Sequence, residues 1–323
     1  MRVTMGTGLG LVALAAILVA IPGCGPKEGA GDIVRIGYQK WSTYSILRAS
    51  GELERVFAAR GWRVEWAEFS AGPPLLEALN AGSIDLGHAG DSPPVFAQAA
   101  GVPFLYIAAS SPSPESSAVL VREGSAVRTP PDLKGKRVGF TKGTSAHTMI
   151  LRVLEKHGFT AADITPVYLP PADGRAALEA GAVDAWSVWD PYLAAAEHGG
   201  GVRRLVGGTG YVTGREYYMA ARRFADDRRD VVRVFLGELA RVKTWAKARP
   251  DEVNRMLAQQ TGMDPAVVAL AEARRNRYDT GPVTAELVAD QQALADRYAK
   301  IGLLPHRIDI RSAVADIPFG GTD

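Results

Sequence analysis

Short runs of β-branched and aromatic residues alternate along the chain with stretches whose apolar positions recur every three to four residues. In the first part this pattern predicts strands at Ile33 to Gly37, Arg63 to Trp66, Ile84 to Gly87 and Phe104 to Ala108. Helices are predicted between them at Ser42 to Ala58, Pro74 to Asn80 and Pro93 to Ala99, with Gly82 capping the second. The pattern then recurs: strands at Arg137 to Phe140, Thr165 to Tyr168 and Ala185 to Val188, helices at Ala146 to Lys156 and Gly174 to Ala180. Strands and helices in alternation imply a parallel sheet with helices on its faces, an α/β fold. From Asp230 to Ile301 only the helical period remains. Val231, Val234, Phe235, Leu239, Val242 and Trp245 form one stripe, and Pro250, Pro265 and Pro282 punctuate the segments. These helices are expected to cover the first α/β unit.

The recurrence is a duplication. Arg35-Ile36-Gly37-Tyr38-Gln39-Lys40-Trp41-Ser42-Thr43 and Arg137-Val138-Gly139-Phe140-Thr141-Lys142-Gly143-Thr144-Ser145 match at an offset of 102. Leu79-Asn80-Ala81-Gly82-Ser83-Ile84-Asp85 answers Leu178-Glu179-Ala180-Gly181-Ala182-Val183-Asp184 at an offset of 99, as does Asp91 with Asp190. Apolar segments at Ala118 to Val121 and Tyr217 to Ala221 bracket the second copy. The chain is therefore expected to leave one lobe, build another and return, with two hinge crossings near those segments.

The start of the chain has a different pattern. A nearly continuous apolar run from Leu9 to Ile21 follows Arg2 and precedes Pro22, Gly23 and Cys24. It is too short to span a bilayer and suits the apolar region of a signal peptide. Cys24 is the single cysteine, so it forms no intramolecular disulfide. Its place after Ile21-Pro22-Gly23 is that of a bacterial lipobox, with the Gly/Pro/Lys-rich stretch Gly25 to Gly31 as tether. The expected organisation is a signal peptide over 1–23, a lipid-anchored tether over 24–31, a first lobe of 32–117 with 218–323, and a second lobe of 118–217.

Composition narrows the function. Over 323 residues, 37 Lys plus Arg stand against 35 Asp plus Glu, a net charge of +2, with no basic run of the kind that reads nucleic acid. The five histidines, His88, His147, His157, His198 and His306, show neither H-x-H nor H-E-x-x-H spacing, so no metal site is expected. Neither a Walker A sequence nor a G-x-S-x-G elbow occurs, and no cofactor is indicated.

Six ordered words carry a family resemblance: Ile36-Gly37-Tyr38-Gln39-Lys40, Glu68-Phe69-Ser70-Ala71-Gly72-Pro73, Gly90-Asp91-Ser92-Pro93-Pro94, Lys142-Gly143-Thr144-Ser145-Ala146-His147, Tyr168-Leu169-Pro170-Pro171-Ala172-Asp173 and Trp186-Ser187-Val188-Trp189-Asp190-Pro191. They resemble the aliphatic sulfonate-binding proteins of bacterial ABC importers, within the nitrate/sulfonate/taurine-type solute-binding group. The similarity runs from about Ile33 to Arg311. It implies a two-lobed periplasmic-binding-protein type II fold that closes on a small organic anion and delivers it, as a monomer, to a membrane permease and its ATPase subunit. Nitrate, taurine and thiamine-pyrimidine precursors are the alternative ligands, and an enzyme of the same fold is the alternative class. The sequence departs from the family at His88-Ala89 and at Thr213-Gly214-Arg215-Glu216.

In such a fold the turns after the parallel strands gather where ligands bind. Thr144, Ser145, Ala146 and His147 form the best candidate, because a glycine allows close approach, the hydroxyls donate, and a helix start favours anions. Cap duty for Thr144 or Ser145 is the plainer reading. In Asp91-Ser92 two following prolines remove N–H groups, so Ser92 is a weaker donor, and Asp91 is expected to orient a donor such as Gln39 or to stabilise the turn. Asp190 is expected to cap the helix after Pro191. Trp189 suits the apolar part of a ligand or serves as core. Gln39 can donate two hydrogen bonds, and Trp41 shares its turn. Ser70 and Gly72 form the fourth turn, and Arg215 offers a charge near the hinge.

The Cys24 reading predicts that intact-mass analysis of membrane-extracted protein finds a chain starting at Cys24 and bearing a diacylglyceryl group. A water-soluble product with a free thiol contradicts it.

Overall fold

The computed structural model describes residues 1–2, 32–275 and 279–319. The signal peptide, Cys24 and the tether expected at 24–31 lie outside them. The described chain builds two mixed sheets with helices on both faces of each. The first lobe begins β1 (Asp32–Gln39), α1 (Thr43–Ser50), α2 (Glu52–Ala58), β2 (Trp62–Phe69), α3 (Gly72–Asn80), β3 (Leu86–Gly90), α4 (Ser92–Ala99) and β4 (Phe104–Ser110). The second holds β5 (Ser117–Arg122), β6 (Arg137–Phe140), α5 (Ser145–Lys156), β7 (Thr165–Tyr168), α6 (Pro171–Glu179), β8 (Ala185–Trp189), α7 (Tyr192–Gly199) and β9 (Val202–Gly207). The chain returns as β10 (Glu216–Ala221) and continues through α8 (Arg222–Asp227), α9 (Arg229–Ala248), α10 (Pro250–Thr261), α11 (Pro265–Arg275), β11 (Thr280–Gly281) and α12 (Ala285–Lys300).

The duplication is visible in strand order. The first sheet runs β11-β4-β10-β3-β1-β2 and the second β7-β6-β8-β5-β9. In each, the first strand of the repeat pairs in parallel with two neighbours, β1 with β2 and β3, and β6 with β7 and β8. The repeated Arg and Asp explain why the two words recur. Asp85 Oδ2 accepts the Arg35 N–H at 2.8 Å and Asp184 Oδ2 accepts the Arg137 N–H at 2.9 Å, so each pair ties the start of one strand to the strand beside it.

Three expectations change. The sheets are not wholly parallel: β10 runs antiparallel to β3 and β4, and β5 antiparallel to β8 and β9, because each is the strand adjoining a passage between lobes. Ala118 to Val121 and Tyr217 to Ala221 are therefore buried strands inside the sheets. The chain passes between lobes through residues 111–116 and 208–215, and Ser113 N–H donates to the Thr213 carbonyl at 2.8 Å to hold the two passages together. A Cβ on Gly214, whose φ is +61°, would stand 2.1 Å from the Ser113 carbonyl oxygen, so this approach requires glycine. The helix expected over 42–58 is two helices, broken at Gly51 with φ of 66°, where the left-handed cap ends α1.

The C-terminal helices do more than cover the first lobe. Val231, Phe235, Leu239 and Val242 of α9 bury against β1, α1 and α2, with Val234 and Trp245 at the edge. However, α11 packs on α7 of the second lobe, and α12 sends Tyr298 to α5, where its hydroxyl meets Thr148. Both helices thus bridge the lobes.

Candidate functional site

A cavity of about 110 Å³ lies between the lobes, at the carboxyl ends of β1, β3 and β8. From the first lobe come Gln39 and Trp41 after β1, Thr43 at the start of α1, Gly72 at the start of α3, and His88 and Gly90 on β3. The second lobe supplies Ser117, Thr144, Ser145, Trp189 and Asp190. Ser110 at the end of β4 and Ser111, Ser113, Ser116, Gly214 and Arg215 of the passages add to it, and Glu216 and Arg275 complete the wall. The lining is thus hydroxyl-rich, with two guanidiniums, two carboxylates and two indoles.

Of the residues expected to bind, Gln39, Trp41, Gly72, Thr144, Ser145, Trp189, Asp190 and Arg215 face this space. The others do not. Ser70 is exposed. Ala146 is buried, its carbonyl accepting from Ser187 Oγ at 2.9 Å. His147 stacks on Phe140 with 4.9 Å between centroids, inside the second lobe's core, and its Nδ1 accepts the Gly143 N–H at 3.4 Å. Burial and, secondarily, Lys142 push its pKa down to about 4. Ser92 is buried behind the cavity, bonded to Asp91, Thr148 and Tyr298.

The hydroxyls of the α5 start already have protein partners. Thr144 Oγ donates to the Thr141 carbonyl at 2.7 Å and Ser145 Oγ to Asp91 Oδ1 at 2.7 Å. Neither caps its own helix; both line the cavity at the start of α5, where a helix's first N–H groups have no intrahelical acceptor. Asp91 does not orient Gln39. It accepts hydroxyls from Ser92 at 3.0 Å, from Ser145, and from Thr213 at 3.4 Å, while Gln291 donates to its carbonyl at 2.5 Å. Gln39 is held by His88: the Gln39 N–H donates to His88 Nε2 at 3.1 Å and its side chain to the His88 carbonyl at 3.2 Å. Burial pushes the His88 pKa down to about 3, with Arg275 adding to the shift, so the ring is neutral near pH 7.

Asp190 accepts the Ala194 N–H at 2.9 Å, so it does serve the α7 start, from the position before Pro191. It also receives Arg274 at 3.1 Å. Burial raises its pKa to about 6 against the pull of Arg274. Arg274 reaches Glu197 as well, and Glu197 pairs with Arg204. Arg215 donates to the Ser110 carbonyl.

Sequence reasoning missed Arg275 and the serines of 110–117. Arg275 closes α11 and stands 4.7 Å from the Trp41 ring centroid, with Nε 3.0 Å from Glu272 Oε1. A basic residue in a last helical turn is ordinary, and only the tertiary path of α11 brings it here. The serines carried a signal in composition, Ser110-Ser111-Pro112-Ser113-Pro114-Glu115-Ser116-Ser117, a Ser/Pro cluster joining two strands.

Comparison with known proteins places this geometry. The model of the NMT1-like family matches residues 31–261. The chain is 40% identical over 304 residues to a protein of Escherichia coli (strain K12) named a putative aliphatic sulfonates-binding protein, covering 94% of this chain and 95% of that one. It is 30% identical over 315 residues to a Bacillus subtilis (strain 168) protein of the same name, covering 94% of each. Among solved structures, the alkanesulfonate-binding protein SsuA from Xanthomonas axonopodis pv. citri, bound to MOPS, superposes with a TM-score of 0.83 at 44% identity, covering 88% of this chain and 98% of that one.

The meeting of Gly90 and Ser145 is testable. A Cβ on Gly90 would stand 2.3 Å from Ser145 Oγ. Gly90→Ala is expected to cost about 1–3 kcal/mol in chemical denaturation, and Ser145→Gly in the same chain to relieve part of that loss. A coupling of at least about 0.5 kcal/mol is expected; additive effects would show that the two lobes do not meet here in solution.

Proposed function

From the premise that this chain belongs to the NMT1-like family, among the aliphatic sulfonate-binding proteins of bacterial ABC importers, we propose that it captures an aliphatic sulfonate between its lobes and delivers it to a permease and its ATPase subunit. The observation that carries this reading is the cavity itself: one space lined from both lobes, combining neutral donors and guanidiniums with the indoles of Trp41 and Trp189.

Each part suits an amphiphilic anion. Three sulfonate oxygens accept bonds from converging donors, and a charged acceptor strengthens each of them. Thr144 and Ser145 at the start of α5 and Arg215 line the same cavity. Hydroxyls and backbone N–H groups receive an anion without the desolvation cost of a buried ammonium. The indoles take the alkyl part, since a large flat side chain buries apolar area without demanding a charge. Asp190 faces the space, but its pairing with Arg274 offsets the charge that would repel an anion.

Opening and closing about residues 111–116 and 208–215 gives the ligand its route. The lobes meet at polar contacts, Ser145 with Asp91, Arg274 with Asp190 and Arg297 with Glu155. Such groups are rehydrated on opening, so their net worth is small compared with that of a buried apolar interface. Lipid on Cys24 and the tether over 24–31 hold the monomer at the membrane beside the permease. The reading is of a binder and not an enzyme, because the proteins at 40% and 30% identity carry binding-protein names and the cavity's imidazole is neutral with Nε2 occupied.

The test is thermal unfolding of residues 24–323 against methane-, ethane- and butanesulfonate, taurine, nitrate and pyrimidine precursors. Sulfonates are expected to stabilise by about 2.7 kcal/mol at a hundred times their dissociation constant. Arg215→Gln is expected to weaken them about ten- to a hundredfold by calorimetry. Stabilisation by nitrate or a pyrimidine alone would overturn the assignment.

A further inference from the structure

The His88 ring has one nitrogen too few partners. Nε2 accepts the Gln39 N–H at 3.1 Å, so the proton of the neutral imidazole sits on Nδ1. The side chain is 1% exposed, and Nδ1 has no hydrogen-bond partner among the described residues. Buried donors are rarely left so, because the lost hydration is costly. The nearest carboxylate oxygen is Glu216 Oε1, at 3.9 Å, beyond hydrogen-bond reach. Its other oxygen, Oε2, accepts the Tyr218 hydroxyl at 3.3 Å. Both His88 and Glu216 line the cavity.

A donor and an acceptor thus stand 3.9 Å apart, on two residues of the cavity wall. One oxygen carrying a hydrogen, about 2.8 Å from each, accepts from Nδ1–H and donates to the carboxylate. A sulfonate oxygen cannot do this, having no hydrogen to give and a charge that Glu216 repels. Burial raises the Glu216 pKa, with Arg275 opposing that rise.

Building on the sulfonate reading above, we propose that His88 and Glu216 form a subsite for a hydroxyl on the ligand, and that the preferred substrates are hydroxyalkanesulfonates. The sulfonate faces Arg215 and the α5 start, and the hydroxyl accepts from Nδ1–H and donates to Glu216. A site that pairs with a ligand hydroxyl discriminates against the analogue lacking it, whose binding leaves both protein groups unmatched.

Calorimetry compares 2-hydroxyethanesulfonate with ethanesulfonate, and 3-hydroxypropanesulfonate with propanesulfonate, on the full mature protein. The hydroxylated member of at least one pair is expected to bind about tenfold tighter or more. His88→Gln keeps an acceptor for the Gln39 N–H but removes the Nδ1 donor, and Glu216→Gln changes the acceptor. Each is expected to reduce the preference to about twofold or less. A purely structural role for His88 would weaken both members equally and leave their ratio intact, which overturns the proposal. Nitrogen-15 NMR of the parent gives a check that needs no variant: His88 is expected to be the Nδ1–H tautomer, with that resonance moved by the hydroxylated ligand and not by its analogue. A parent that binds no sulfonate overturns the functional reading itself; one that binds both members of each pair equally overturns the hydroxyl subsite alone.

Discussion

One buried carboxylate gathers bonds from both halves of this protein. Asp91 ends β3 and opens α4, it is buried, and it accepts hydroxyls from Ser92 beside it, Ser145 across the cleft and Thr213 on the returning passage. Its carbonyl takes the amide of Gln291 from α12, and Ser92 continues the network to Thr148 and Tyr298. A buried carboxylate without partners is costly, and a hydrogen bond to a charged acceptor is worth about 1.5–3 kcal/mol. With the lobes together, Ser92, α5 and the passage supply those bonds. Gly90 permits that approach by having no side chain where Ser145 Oγ stands.

The duplicated carboxylates have diverged because of what packs on each lobe. Asp190, the counterpart of Asp91, faces α11 and is neutralised by Arg274, which α11 delivers from outside the repeat. Asp91 meets hydroxyls instead. One junction is thus a network of neutral donors and the other an ion pair extended through Glu197 to Arg204. Both are polar and both span the cleft, which suits lobes that must separate as well as meet. The apolar cores lie mostly on the two faces of each lobe's own sheet, although Ala194 of α7 joins one first-lobe cluster and Leu151 of α5 packs against the other.

Much of the fold was legible because it repeats. Arg35 with Asp85, and Arg137 with Asp184, recur because each lobe needs the same tie between neighbouring strands, and a local need leaves a local word. The antiparallel placing of β5 and β10 was not legible, since strand direction depends on where a passage enters a sheet and not on composition. Gly51 within an apparently continuous apolar stripe was the signal for the break between α1 and α2. At the site, residues in the turns after strands could be found by topology alone, as Gln39, Trp41, Thr144 and Trp189 were. Which of their groups face the cavity depends on partners far along the chain. Ser145 was identified, but its hydroxyl belongs to Asp91, 54 residues away. Arg275 came from a helix whose own sequence speaks only of packing.

Where the ligand sits can be seen by anomalous diffraction. Crystals of the protein grown with 2-bromoethanesulfonate carry a heavy atom on the alkyl end. A bromine peak is expected within the cavity between Trp41 and Trp189, with the sulfonate toward Arg215 and the start of α5. A peak elsewhere, as in the groove bounded by Leu47, Trp245 and Met256 on the outside of the first lobe, with the interlobe cavity holding only water, would contradict it.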